Sequence, residues 1–163
     1  MTYFRLLGFL LLPLLLVILS PSWQAGATAA TGTEKPMLSD LDLRTPSGEL
    51  VSLIPYIGRK TVVVIFWATW CPICREEIPL LKRLNSNSDL KVIAVNEGES
   101  IRKVNDFITK NGIDYQVVMD PKAALAKAFG VPGMPYCVIL DKSGVITYRN
   151  SGLPANLDTY LRQ

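Results

Sequence analysis

The chain of 163 residues contains no histidine. This absence excludes metal sites with histidine ligands, and it also excludes Ser-His and Cys-His catalytic pairs. The chain has three cysteines, which are too few for a disulfide-rich scaffold. Cys71 and Cys74 form a close pair and Cys137 stands apart, and this arrangement favours redox chemistry over structural cross-linking.

The sequence also lacks a strong charge of one sign. Its net charge is +3, and basic and acidic residues alternate along most of its length. We therefore expect no nucleic-acid partner, because such proteins carry a concentrated basic patch. The length, together with 49% hydrophobic and 19% charged residues, predicts one globular domain and a targeting segment.

A long membrane-spanning run is missing as well. The N-terminal apolar run Leu6–Leu19 has about 14 residues and contains Pro13, whereas a spanning helix needs about 20. Arg5 precedes the run, and the small residues Ala25-Gly26-Ala27 follow it, which is the pattern of a secretory signal. We expect residues 1–27 to be a signal peptide or an uncleaved membrane anchor.

Both explanations of the N-terminus remain open, and Ala27-Thr28-Ala29 offers a second cleavage site. In either case we expect the rest of the chain to lie in the periplasm or at the outer face of the cytoplasmic membrane. Residues 28–36 are small and polar, which predicts a linker. The folded domain is predicted over residues 37–163.

The most informative stretch covers residues 61–81. Val62–Phe66 is an apolar, β-branched run that predicts a buried strand. The Cys71-Pro72-Ile73-Cys74 motif follows, and a helical pattern then places three apolar side chains on one face: Ile78, Leu81 and Leu84. The motif is thus predicted at a helix N-terminus, where backbone N–H groups and the helix dipole favour a thiolate. This position indicates a dithiol/disulfide redox centre.

The remaining pattern alternates strands and helices. Besides the strand and helix around the motif, it predicts strands at 41–43, 90–95 and 115–119, a helical turn at 54–57, a hairpin of 136–140 with 145–148, and a closing helix over 155–162. One further helix is predicted to begin after Ser100, to stop at Gly112 and to bury Ile101, Val104 and Ile108. Another is predicted to begin at Asp120-Pro121 and to bury Leu125, Ala128 and Phe129. This order implies parallel strands joined by crossover helices and finished by an antiparallel hairpin.

The segment from Trp67 to Cys71, with Glu-Glu-Ile-Pro after the motif, resembles the thioredoxin superfamily. More narrowly, the chain resembles the extracytoplasmic thioredoxins of the TlpA, ResA and CcmG (DsbE) type. Further matches are residues 94–100, an extra strand and helix at 115–129, and Gly133-Met134-Pro135 before the hairpin. The resemblance covers about residues 38–160 and implies an α/β thioredoxin-like fold, with a central mixed sheet, helices on both faces and an inserted βα unit.

The motif also predicts roles for its residues. We expect an exposed Cys71 sulfur to act as the nucleophile and a more buried Cys74 to resolve the mixed disulfide. Glu77 follows Cys74 by three residues on the same helical face, and the resemblance implies that it handles the proton of the buried cysteine. The alternative is that Glu77 faces solvent beside Glu76.

Other residues are assigned by position and resemblance. Trp70 is expected to shield the sulfurs and Trp67 to belong to the core. Pro135 matches the cis-proline of the family, and the Met134 backbone is expected to pair with a substrate peptide; the alternative is an ordinary trans proline. Cys137 lies in an apolar strand and is expected to be a small buried side chain, with a second redox role or intermolecular pairing as alternatives.

The predicted activity is that of a thiol-disulfide oxidoreductase without cofactor. The resemblance implies reduction of protein disulfides, with apocytochrome c as a possible client and a thiol-reductase-type electron donor in the membrane. A disulfide-forming or isomerising protein remains an alternative. A peroxidase is disfavoured, because Ala68 stands where those enzymes carry Thr or Ser. A zinc site needs about four ligands, and a Sco-type metal module needs a histidine that this chain lacks.

Overall fold

The computed structural model of the chain describes residues 43–161. The predicted signal or anchor at 1–27, the linker at 28–36 and the start of the domain near Met37 lie outside the described residues. Between residues 43 and 161, none of the helices combines the length and apolar character that a membrane crossing requires.

The described residues form one sheet of seven strands and four α-helices. The strands are β1 (Leu43–Arg44), β2 (Leu50–Val51), β3 (Thr61–Trp67), β4 (Leu90–Glu97), β5 (Gln116–Asp120), β6 (Tyr136–Leu140) and β7 (Ile146–Ser151). The helices are α1 (Pro72–Asn85), α2 (Ile101–Asn111), α3 (Ala124–Ala128) and α4 (Asp158–Leu161), and a 3₁₀ turn covers Ile54–Tyr56.

The sheet has the strand order β2-β1-β5-β4-β3-β6-β7. Strands β3, β4 and β5 are parallel, whereas β6 runs antiparallel to β3 and β7 antiparallel to β6. The predicted mixed sheet with a final hairpin is therefore confirmed. Strand β3 lies between β4 and β6, and all of its side chains are buried, so the strand that leads into the cysteine motif is an internal strand of the sheet.

Alternate side chains of β3 enter two apolar clusters on opposite faces of the sheet, as the period of two in a strand requires. The first cluster receives Val63, Ile65 and Trp67, and the second receives Val62, Val64 and Phe66. Leu81 of α1 and Val104 of α2 join the first cluster, whereas Leu125 of α3 joins the second. Helices therefore cover both faces, as predicted.

Helix α3 differs from the prediction at its start. It begins at Ala124 rather than at Asp120, because the Asp120 carboxylate accepts hydrogen bonds from the backbone N–H groups of Ala124 and Ala126 and thus lies before the helix. Ala123, which lies between Asp120 and the start of α3, has a left-handed backbone with φ of 53°. Leu125 and Phe129 are buried as predicted, but Ala126 is buried instead of Ala128, which is exposed.

Helices α2 and α4 also depart from the pattern in part. Ser100 caps α2, Gly112 ends it with a left-handed backbone, and Val104 is fully buried, as predicted. Ile101 was predicted on the buried face, but it is 54% exposed, because the first helical residue lies beyond the carboxyl end of β4. The closing helix is shorter than predicted and covers Asp158–Leu161.

Candidate active site

The cysteine pair lies at the carboxyl end of β3, where the chain turns into α1. Cys71 is the N-cap of α1, and Pro72 is its first residue, a position at which a missing N–H costs nothing. Cys71 and Cys74 form a disulfide with a Cα–Cα distance of 5.3 Å. The Cys71 Sγ also accepts a hydrogen bond from the backbone N–H of Cys74 at 3.2 Å. In the reduced state the same donor stabilises a thiolate at Cys71.

The burial of the two cysteines differs from the prediction. Cys71 is 3% exposed and Cys74 is 4% exposed, so the expected contrast between an exposed and a buried sulfur is wrong for the disulfide form. Both residues belong to the first apolar cluster, together with Trp67, and Met134 packs against that cluster. Both side chains are equally buried in the cluster, so exposure does not distinguish their roles.

Two large apolar side chains lie beside the pair in the sequence and are exposed. Trp70 is 62% exposed and Ile73 is 58% exposed. Trp70 was predicted to shield the sulfurs, but most of its own surface faces solvent, where a partner can contact it. Trp67, in contrast, is 5% exposed and packs on Phe107 with ring centroids 5.2 Å apart. Its predicted place in the core is confirmed.

Glu77 lies on α1, half-buried beneath the segment that follows β7. Its Oε1 accepts a hydrogen bond from the Leu153 N–H at 2.9 Å, whereas its Oε2 is buried and has no hydrogen-bond partner among the described residues. Burial raises the pKa of Glu77 above its ordinary value and outweighs the hydrogen bond from Leu153, which lowers it. Glu76 is exposed. The alternative that Glu77 faces solvent beside Glu76 is therefore wrong.

The proline loop contacts the same segment, at Gly152. The Met134–Pro135 peptide bond is cis, as predicted, and the Pro135 carbonyl oxygen accepts the Gly152 N–H at 3.0 Å. A Cβ placed on Gly152 would lie 3.0 Å from the Glu77 Oε1 and 3.8 Å from the Pro135 Cγ. Gly152 and the following Leu153 thus connect the carboxyl of α1 with the proline loop.

Cys137 occupies the interior of β6 and is fully buried. The predicted small buried side chain is therefore confirmed. Burial raises the pKa of its thiol, and the negative charge of Glu77 raises it further. In the folded chain this thiol is protonated at neutral pH and closed to solvent, which opposes a second redox role and pairing between molecules.

The sequence analysis missed a network around Thr69, in the loop before Cys71. The Thr69 N–H and hydroxyl donate to the two carboxylate oxygens of Glu99, each at 2.6 Å. Glu99 also accepts from Asn96 Nδ2 at 2.8 Å and from Lys103 Nζ at 2.7 Å. Arg75 donates to the Thr69 carbonyl oxygen from Nη2 at 2.7 Å and from Nε at 3.1 Å.

This network stabilises the ionised form of Glu99. Burial raises the pKa of Glu99, but the hydrogen bonds from Lys103, Thr69 and Asn96 together lower it to about 2. The segment 94–100 was noted for its resemblance, yet its role was not predicted, since 30 residues separate Thr69 from Glu99. The network fixes the loop that presents Cys71.

These groups suit disulfide exchange. They comprise a disulfide at a helix N-terminus, a half-buried carboxyl with one oxygen that has no hydrogen-bond partner among the described residues, and a proline loop linked to that carboxyl through Gly152. Among residues 43–161, no group of three His, Cys, Asp or Glu side chains is arranged to hold a metal ion.

Comparison with known proteins agrees with this site. The Redoxin family model matches residues 24–160. The sporulation thiol-disulfide oxidoreductase A of Bacillus subtilis is 29% identical over 131 residues, which cover 77% of this chain and 78% of that protein. The thiol-disulfide oxidoreductase ResA of Geobacillus thermodenitrificans is 32% identical over 122 residues, which cover 72% of this chain and 67% of that protein.

A solved structure extends the likeness to the fold. The thiol:disulfide interchange protein of the thioredoxin family from Chlorobium tepidum has a TM-score of 0.63 and 27% identity, over 73% of this chain and 88% of that one. The resemblance drawn from the sequence is thus confirmed. The chain belongs to the Redoxin family and is a thiol-disulfide oxidoreductase of the ResA and DsbE type with a thioredoxin-like fold, and it carries the Cys71–Cys74 pair.

Proposed function

We propose that this oxidoreductase reduces disulfides of proteins outside the cytoplasm. The observation that carries the direction is the dipeptide Pro72-Ile73 between the cysteines in a chain without histidine. Strong oxidants such as DsbA owe their high potential to a stabilised reduced form. Here the described donor to the Cys71 sulfur is the Cys74 N–H, and no imidazole adds to it. A less stabilised thiolate favours electron donation to a substrate.

The reaction begins at Cys71, the N-cap of α1. Its thiolate attacks one sulfur of the substrate disulfide, so that a mixed disulfide forms and one substrate thiolate leaves and takes a proton. The Cys74 thiolate then attacks the Cys71 sulfur, which releases the second substrate thiolate. Two electrons pass to the substrate, and the protein is left with the disulfide found in the structure.

Glu77 is proposed to receive the proton of Cys74 in the second step. Cys74 is 4% exposed, so water has little access to its thiol. Glu77 lies one helical turn later, on the same face, and its buried Oε2 has no other described partner. Burial raises its pKa, so that the carboxyl exchanges a proton more readily near neutral pH than an exposed glutamate does.

The substrate is proposed to bind across Trp70, Met134 and Pro135. Trp70 offers an exposed apolar surface beside Cys71. Met134 and Pro135 immediately precede the first residue of β6, Tyr136, where an extended peptide can pair with backbone groups. This mode places a substrate cysteine over the motif without requiring a deep pocket.

The N-terminal segment supports the proposed location. Residues 1–27 are expected to direct the chain across the cytoplasmic membrane or to anchor it at the outer face. Outside the cytoplasm, the dithiol needs a supply of electrons, for which we propose a membrane protein of thiol-reductase type. Apocytochrome c is the proposed client, on the resemblance to DsbE-type proteins.

Trapping of the mixed disulfide tests this proposal. Cys74→Ala leaves Cys71 able to attack a client disulfide but removes the thiol that resolves the mixed disulfide. Covalent complexes with client proteins should therefore accumulate in extracts of the periplasm. Cys71→Ala is the matched control and should trap little. The assignment of the nucleophile fails if Cys71→Ala traps as much as Cys74→Ala, and the proposed client fails if apocytochrome c is absent from the complexes.

A further inference from the structure

The Glu99 carboxylate is bound on every side by hydrogen-bond donors. Its side chain is 6% exposed, and its four described partners are the Thr69 N–H, the Thr69 hydroxyl, the Asn96 amide and the Lys103 ammonium. The Thr69 N–H, the Asn96 Nδ2 and the Lys103 ammonium can only donate, and each carboxylate oxygen of Glu99 faces at least one of them. An ionised carboxylate therefore fits the site, whereas a neutral amide of the same shape would turn its N–H group either toward the Lys103 ammonium or toward the Thr69 N–H and the Asn96 amide.

Thr69, which Glu99 binds, has both of its backbone polar groups hydrogen-bonded to side chains. Thr69 stands two residues before Cys71, and its N–H and hydroxyl go to Glu99 while its carbonyl oxygen receives Arg75. The Cys71 N–H in turn donates to the Ala68 carbonyl oxygen at 3.2 Å. The short loop between β3 and α1 is thus fixed on both sides of Trp70.

The network is also anchored in the sheet. Asn96 is fully buried near the carboxyl end of β4, where it is the parallel partner of Trp67, and its amide nitrogen donates to Glu99. The Asn96 Oδ1 has no hydrogen-bond partner among the described residues, so the bond to Glu99 is the described side-chain contact that offsets part of the cost of burying this amide. The bonds therefore run from the rigid sheet through Asn96 and Glu99 to Thr69, and the redox loop takes its position from β4.

We propose that Glu99 is a positioning residue for disulfide exchange, which acts through Thr69 to hold Cys71 as the N-cap of α1. In that position the Cys71 sulfur receives the Cys74 N–H at 3.2 Å, the contact that stabilises its thiolate. The inference rests on the nucleophilic role proposed for Cys71. It is independent of the direction of electron flow and of the client.

Paired variants of the two contacting residues test the proposal. Thr69→Val removes the hydroxyl that donates to Glu99 at nearly constant volume, and Thr69→Ser restores a hydroxyl. Glu99→Gln keeps the shape of the side chain but loses the negative charge and one of the two acceptor oxygens, both of which are used in the network. Glu97→Gln is the matched control, since it makes the same chemical change two residues away, where no described hydrogen bond uses the side chain.

The measurement is the reaction of the reduced protein with 5,5′-dithiobis(2-nitrobenzoate), a small disulfide that needs no docking surface. The thiol pKa of Cys71 is measured on the same samples by thiolate absorbance. Thr69→Val and Glu99→Gln should slow the reaction by about tenfold, because a small misplacement of a reacting group has effects of this size or larger. In Thr69→Val the pKa should also rise, because the charges are unchanged and the sulfur loses its donor.

The outcomes separate this inference from the proposed function. Thr69→Ser and Glu97→Gln should react within about twofold of the wild type, and denaturant unfolding verifies that every variant is folded under the assay conditions. A wild-type chain that does not react would refute the proposed nucleophile. A reactive wild type with unchanged rates and an unchanged Cys71 pKa in Thr69→Val and Glu99→Gln would overturn the positioning role, and would leave the proposed function intact.

Discussion

Gly152 joins the carboxyl of Glu77 to the proline loop, and replacing it by alanine tests that connection. The residue has φ of +65°, and a Cβ at this position would lie 3.0 Å from the Glu77 Oε1. Gly130 is a control with nearly the same backbone, since its φ is +62° and nothing lies within 4 Å of an added Cβ. Both substitutions therefore share the strain of a left-handed alanine, and one of them also contacts Glu77.

The expected magnitudes follow from this difference. A left-handed conformation costs a residue with a Cβ roughly 1–2 kcal/mol, so Gly130→Ala should lower the free energy of unfolding by about that amount. In Gly152→Ala, the Glu77 Oε1 must also shift by a few tenths of an ångström, which is expected to weaken the hydrogen bond that it accepts from the Leu153 N–H at 2.9 Å. Weakening a hydrogen bond to a charged group adds roughly 1–2 kcal/mol, so we expect a total loss of about 2–4 kcal/mol.

The assay combines denaturant unfolding of the oxidised proteins with the rate at which Cys74 resolves a mixed disulfide on Cys71. Gly130→Ala should resolve the mixed disulfide at the wild-type rate. Gly152→Ala should resolve it about tenfold more slowly, because Glu77 is displaced from its position near Cys74. Equal losses of stability and equal rates in the two variants would refute the reasoning that Gly152 holds Glu77 in place.

Three further predictions concern buried groups. Glu77→Gln should slow the resolution of the mixed disulfide by about 10- to 100-fold. It should not lower the free energy of unfolding at neutral pH, because burial raises the pKa of Glu77 and its ionised form therefore destabilises the fold above that pKa. A loss of stability in this variant would contradict the direction of that pKa shift. Cys137→Ala should lower the free energy of unfolding by about 1 kcal/mol and leave the exchange rate unchanged, and a slower rate would reveal a redox role. Ionised Glu99 should stabilise the fold fully above its ordinary pKa of 4.5, and this stabilisation should be lost as the pH falls toward about 2, so a Glu99→Ala variant should show a flatter acid limb of the thermal midpoint.

Much of the fold was predictable because its signals are local. The run Val62–Phe66 is short, apolar and rich in β-branched residues, and this length and composition favour a buried strand over a buried helix. The α1 face and the hairpin of β6 with β7 follow from periodicity and turn residues in the same way. The cysteine pair was recognisable because its spacing, its preceding strand and its following helix lie within about 20 residues.

The unpredicted features depend on contacts between distant residues. Thr69 and Glu99 are 30 positions apart, and neither has a neighbour in sequence that indicates the pairing. Asp120 is the last residue of β5, and its carboxylate accepts hydrogen bonds from backbone N–H groups of α3 although it lies four residues before that helix. The sequence pattern does not distinguish this arrangement from a helix that begins at Asp120. The equal burial of Cys71 and Cys74 depends on the side chains that surround them in the first apolar cluster, and the spacing of the motif carries no information about those contacts.

The reduction potential of the Cys71–Cys74 pair is the most direct test of the central claim, that this oxidoreductase donates electrons to protein disulfides. It is measured by equilibrating the protein in thiol/disulfide buffers and quantifying the free thiols of the pair after alkylation. The account predicts a potential near that of thioredoxin, about −270 mV, because the thiolate has no histidine to stabilise it. A potential near that of DsbA, about −120 mV, would contradict it and identify the chain as an oxidant.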